Sequence, residues 1–151
     1  MVSDRDEGPV PLEYRLGYLL KHAQAKLTRT SAEALAPYGV DGHELAVLVV
    51  LAGDETLSQV EVAGRLGVDR TTMVSLVDGL EDHGLVARRR SPQDRRRNIV
   101  ELTPAGRDCL DRAERARRAA ERRFLAPLDE QTADVLLRAL RVLVVEEAVG
   151  G

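Results

Sequence analysis

The chain has no tryptophan, one phenylalanine and three tyrosines, so aromatic residues make up only 3% of its 151 positions. Hydrophobic residues still reach 44%, which predicts a core that is aliphatic and large enough for one domain. The only cysteine, Cys109, excludes an intrachain disulfide and a cysteine-based metal cage; it reads as an inert core thiol. The longest apolar run, Leu45 to Ala52, is far short of the roughly 20 residues that span a bilayer. No charged start leading into an apolar stretch reads as a secretory signal. A soluble, cytoplasmic protein without a membrane partner is expected. Phosphate-binding glycine loops, a nucleophile elbow and a zinc-protease helix are all missing, so no enzyme is expected. His22, His43 and His83 lack ligand spacing, so neither a metal nor another cofactor is expected.

What the chain does have is an uneven distribution of charge. The net charge is −3. Residues 1–84 hold 7 basic and 14 acidic residues, 85–127 hold 13 and 6, and 128–151 hold 2 and 5. Six arginines fall in the ten residues from Arg88 to Arg97. A polyanion meets that middle block, not the average.

The periodicity predicts mainly helix. Residues 1–11, with Gly8, Pro9 and Pro11 among charges, read as a flexible N-terminal arm, and 12–151 as a single domain. A first helix is predicted over 12–36, with leucines at helical spacing, stopped by Pro37, Tyr38 and Gly39. Asp41 with Glu44, and Ser58 with Glu61, have the spacing of capping boxes. They open one helix ending at Gly53 and a short one ending at Leu66. Gly67 closes the short helix, and Asp69 caps another reaching His83. Two short helices joined by a tight glycine turn form a helix-turn-helix pattern. Met73, Leu76, Val77 and Leu80 give the second of them a buried stripe. Leu85–Arg88 and Asn98–Leu102 read as two strands of a hairpin, connected by the nine residues Arg89–Arg97. Thr103-Pro104 starts a long helix to Ala126, and a last helix runs from Asp129 to Ala148. The expected architecture is a winged helix-turn-helix with a two-stranded wing (41–102), between long terminal helices (12–36 and 104–148).

Such a pattern suits duplex DNA. A recognition helix offers short polar side chains near its N-terminus to the major groove, and Arg70, Thr71, Thr72 and Ser75 stand there. Crowded guanidinium groups repel one another unless a phosphate backbone neutralises them, and a narrow minor groove accepts an arginine from a hairpin tip. The predicted DNA-binding set is Ser58, Arg70, Thr71, Thr72, Ser75, Arg88, Arg90, Asp94, Arg95, Arg96 and Arg97.

Over "LGVDRTTMVSLVDGLEDHGLVARRRSPQDRRRNIVELTPAG", Leu66 to Gly106, the chain resembles the MarR family of bacterial transcription regulators. The resemblance lies in Gly84-Leu85-Val86, Arg88 to Arg90, Pro92-Gln93-Asp94-Arg95-Arg96 and Leu102-Thr103-Pro104-Ala105-Gly106. It implies a homodimer held by the terminal helices, a pseudo-palindromic duplex operator, repression of transcription, and a small effector that weakens DNA binding, often a phenolic or another anionic aromatic. It also implies that Arg96 is the wing tip, with Asp94 orienting its guanidinium. Tyr14, Tyr18 and His22 recur every four residues, off the leucine stripe of the first helix, and are the candidate effector-binding residues, with Tyr38 beside them. The alternative from another class is a protein-interaction module on a winged-helix scaffold that binds no specific DNA. Salt-dependent retention on heparin or DNA separates the two.

Overall fold

The computed structural model describes residues 8–149, with side chains through residue 145; residues 1–7 of the expected arm lie outside the described residues. Six α-helices and a small sheet follow in order. Helix α1 is Leu16–Leu35, α2 is Gly42–Leu51, α3 is Gln59–Leu66, α4 is Arg70–Asp82, α5 is Pro104–Leu125 and α6 is Glu130–Val149. The strands are β1 (Leu57–Ser58), β2 (Val86–Arg90) and β3 (Asn98–Leu102).

Local chemistry sets most boundaries. Asp41 and Ser58 form complete capping boxes with Glu44 and Glu61. The Asp69 carboxylate accepts the Thr72 N–H at 2.7 Å and starts α4. Gly67, at φ 65°, takes the left-handed conformation that ends α3 and turns the chain into α4. The first helix starts later than the leucine spacing predicts. Leu12–Tyr14 form a separate 3-10 turn, and Arg15 is extended, its Nε donating to the Val10 carbonyl at 3.0 Å.

The two-stranded wing forms as expected from β2 and β3, with a short strand added beside it and a shorter loop than expected. The sheet has three strands, in the order β1-β3-β2, all antiparallel. A two-residue strand carries no alternation, and Ser58 also caps α3, so β1 is invisible to periodicity. Strand β2 continues to Arg90, opposite Asn98, and leaves a seven-residue loop, Ser91–Arg97, rather than nine. It lies at the sheet edge, where charged side chains reach water without breaking the ladder.

The core is aliphatic, as the composition requires. Met73, Val77 and Leu80 of α4 are fully buried. They pack with Leu48 of α2, Val62 of α3, Val86 and Val100 of the sheet, and Ala113 of α5. This fixes α4 and the wing to one body. At the α4–β2 turn, Thr103 ties α5 to that body: its hydroxyl donates to the Gly84 carbonyl at 2.6 Å and accepts the Gly106 N–H at 3.0 Å. Among the described residues no single helix is long and apolar enough to cross a membrane.

Candidate nucleic-acid interface

Two convex features project from this body. The first is the outer ridge of α4. With Met73, Val77 and Leu80 turned inward, Arg70, Thr71, Thr72, Val74 and Ser75 are exposed. Their backbone is rigid because the helix is capped. The Thr72 backbone N–H, and then its side chain, hold the Asp69 carboxyl below the ordinary aspartate range. Thr72 is therefore partly committed to the cap, and Thr71 and Ser75 are the freer hydroxyls.

The second feature is the wing loop. The Ser91 amide donates to the Arg97 carbonyl at 2.9 Å and closes the loop. The nearly buried Ser91 hydroxyl accepts the N–H groups of Gln93 and Asp94 at 3.2 and 3.3 Å. Asp94 accepts the Arg96 backbone N–H at 3.0 Å, and its other oxygen faces Arg97 Nε at 3.6 Å. Asp94 therefore shapes the backbone at Arg96 and steadies Arg97. This corrects the expectation that it orients the Arg96 guanidinium. Arg95 and Arg96 are exposed and make no ion pair among the described residues. The same holds for Arg70 at the start of α4 and Arg90 at the end of β2.

Two further expectations change. Ser58 is 4% exposed and uses its hydroxyl to accept the Glu61 N–H at 3.2 Å; it is a cap in the core wall. Arg88 is turned inward. Its Nη2 donates to Asp78 at 2.6 Å and to the Val74 carbonyl at 3.3 Å, Nη1 to Glu81 at 3.3 Å, and Nε to Gln59 at 3.1 Å. With its side chain 19% exposed and every donor nitrogen engaged, Arg88 does not present itself to an external phosphate. Arg89 is also partnered, with Glu101 at 2.9 Å. Sequence spacing does not reveal the partners of Arg88, although Asp78 and Glu81 at i and i+3 do mark an acidic edge on α4.

The effector candidates separate into two places. Tyr18 and His22 lie ring against ring near the start of α1, with centroids 4.0 Å apart and planes inclined by 35°, and Tyr14 lies in the preceding 3-10 turn, 71% exposed. Tyr38 lies past the other end of α1, where its carbonyl faces Cys109 Sγ at 3.7 Å. A 20-residue helix is about 30 Å long, so Tyr38 does not share one pocket with Tyr18 and His22 within a chain. Burial pushes the Cys109 thiol up, consistent with an inert thiol. A groove of about 420 Å³ runs between α1, α2 and α5, lined by Leu35, Leu45, Val49 and Arg117, and none of the four candidates lines it.

Comparison with known proteins agrees with this geometry. A family model described as MarR family matches residues 38–97, from the turn before α2 through the wing loop. An HTH-type transcriptional repressor of Mycobacterium bovis is 38% identical over 113 residues, covering 75% of this chain and 81% of the relative. The transcriptional repressor CouR bound to a 23-mer DNA duplex superposes with a TM-score of 0.84 at 34% identity, covering 92% of this chain and 99% of the other. CouR bound to p-coumaroyl-CoA superposes with a TM-score of 0.78 at 31% identity, covering 92% and 98%.

Proposed function

Since the chain belongs to the MarR family and is a winged-helix transcription regulator, we propose that it acts in the cytoplasm as a homodimeric, ligand-responsive repressor on a pseudo-palindromic operator. The observation that carries this reading is the pairing of two free features on one rigid body, the polar ridge of α4 and the unpaired Arg95 and Arg96. The ridge fits a major groove, and a hairpin tip reaches the adjacent minor groove. Residues 41–102 read DNA, and 12–36 with 104–148 hold the dimer. Selection of binding sites from a random duplex library tests it, the expected product being an inverted repeat with half-sites about one helical turn apart.

The terminal helices support the dimer. Leu16, Leu19 and Leu20 on α1 are exposed, and among the described residues α6 exposes seven large apolar side chains, Val142 to Val145 among them. Such patches mark an interface. Leu143→Asp is expected to shift the protein to monomer in sedimentation experiments and to abolish high-affinity operator binding; a dimer unchanged in the variant would place the interface elsewhere.

The effector is proposed to be an aromatic acid or its acyl thioester, met by Tyr14, Tyr18 and His22 at the start of α1. The adjoining rings of Tyr18 and His22 offer it an aromatic surface, and the p-coumaroyl-CoA complex of CouR supports the ligand class. An effector acts through its different affinities for the two states of the dimer. Titration of such compounds into operator-bound protein is expected to release DNA, and operator affinity unaltered by any of them removes the effector from the account. On α4, Ser75→Ala is expected to change the preferred base at one position of the half-site by about 1 kcal/mol, whereas Arg96→Ala leaves the selected sequence intact; identical selected sequences for Ser75→Ala and the parent would take Ser75 out of the readout.

A further inference from the structure

The inward arginine has a role that its neighbours on α4 make specific. Thr71, Ser75 and Asp78 stand at i, i+4 and i+7, and Val74, Asp78 and Glu81 at the same spacing, so the ridge that the proposed function turns to DNA ends in two carboxylates. Asp78 and Glu81 are 56% and 42% exposed. A carboxylate beside a phosphate backbone costs affinity, because like charges brought together across an interface repel. A single guanidinium reaches both, and the Glu81 carboxylate also accepts the Arg88 backbone N–H at 3.2 Å. Gln59 on α3 and the Val74 carbonyl complete its shell. Arg88 on β2 thus joins α3, α4 and the wing through one planar group whose fork geometry lysine lacks.

We infer that Arg88 is a positioning residue for operator binding that acts through Asp78 and Glu81: it is their internal counter-ion and touches no phosphate itself. Its effect on DNA runs through the carboxylates it covers. Without it, two negative side chains are freed at the edge of the groove.

The inference rests on the DNA-binding reading, and the test separates the two. Operator affinity is measured against salt for the parent, Arg88→Met, and Arg88→Met with Asp78→Asn. The double variant has the same net charge as the parent and leaves the cluster charge unchanged. Arg88→Met alone is expected to bind about tenfold more weakly. The double variant is expected to return to within about threefold of the parent, with an unchanged slope of log affinity against log salt. If Arg88 itself neutralised a phosphate, the slope would instead flatten by about 0.9 in both variants, and that result overturns the inference, as does parent-like binding by Arg88→Met. Should Arg88→Met not fold, the slope of the double variant decides alone, since it lacks Arg88 and keeps the net charge of the parent cluster. If the parent itself binds no duplex, the DNA-binding reading fails instead.

Discussion

Replacing Arg95 and Arg96 together with alanine is expected to weaken operator binding about 100-fold, at roughly a factor of ten for each charge-assisted phosphate bond, and to flatten the salt dependence by about 1.8 in log–log slope. The expectation follows from what these side chains do in the free protein, which is nothing structural. Neither makes an ion pair among the described residues, and the loop keeps its shape through Ser91 and through Asp94, which holds the backbone of Arg96 and not its side chain. Melting should therefore be unchanged while binding collapses. Arg89→Ala is the internal control. That arginine is engaged by Glu101 across the strand pair, so its removal should alter the slope little. Equal slopes for the double variant and the parent would show that the wing tip does not touch DNA.

The second large effect is on stability. Gly106→Ala is expected to cost about 3 kcal/mol and to lower the melting temperature by roughly 6–12 °C in a chain of this size. A β-carbon on Gly106 would run into the Leu85 carbonyl oxygen and stand 3.0 Å from the carbon that bears it. That carbonyl cannot retreat, because it accepts the Thr103 N–H at 3.1 Å at the joint where α5 meets the end of the recognition helix. The bulk would therefore strain the connection between the dimer helices and the DNA-reading body. A variant melting within a degree of the parent would show that the joint has slack.

The features that local chemistry decides are legible in the residues. Asp41, Ser58, Asp69 and Thr103 each cap the helix that their spacing predicts, since a cap needs only a side chain within three residues of its amide. The buried side of α4 follows from spacing alone. What spacing does not carry is the partner of a charge. Arg88 and Arg95 look alike in the sequence, yet one faces two carboxylates ten and seven residues earlier on α4 and the other faces solvent. Only the packing of α4 on β2 brings Asp78 and Glu81 to Arg88. Likewise Tyr38 resembles Tyr18 and His22 as a ring near the first helix, while the rod of α1 holds them apart. The close approach at Gly106 shows in the sequence only as the last letter of a family pattern; its physical reason needs the Leu85 carbonyl in place.

The placement of α4 and the wing on DNA is open to a base-pair-resolved footprint of the parent on its selected duplex, reading guanine N7 methylation in the major groove and hydroxyl-radical cleavage along the minor groove. Protection is predicted in two successive major grooves centred about 10 base pairs apart, flanked by minor-groove protection that vanishes when Arg95 and Arg96 are replaced. A duplex bound with its major-groove guanines fully reactive, or no protection at any low salt concentration, would contradict that placement.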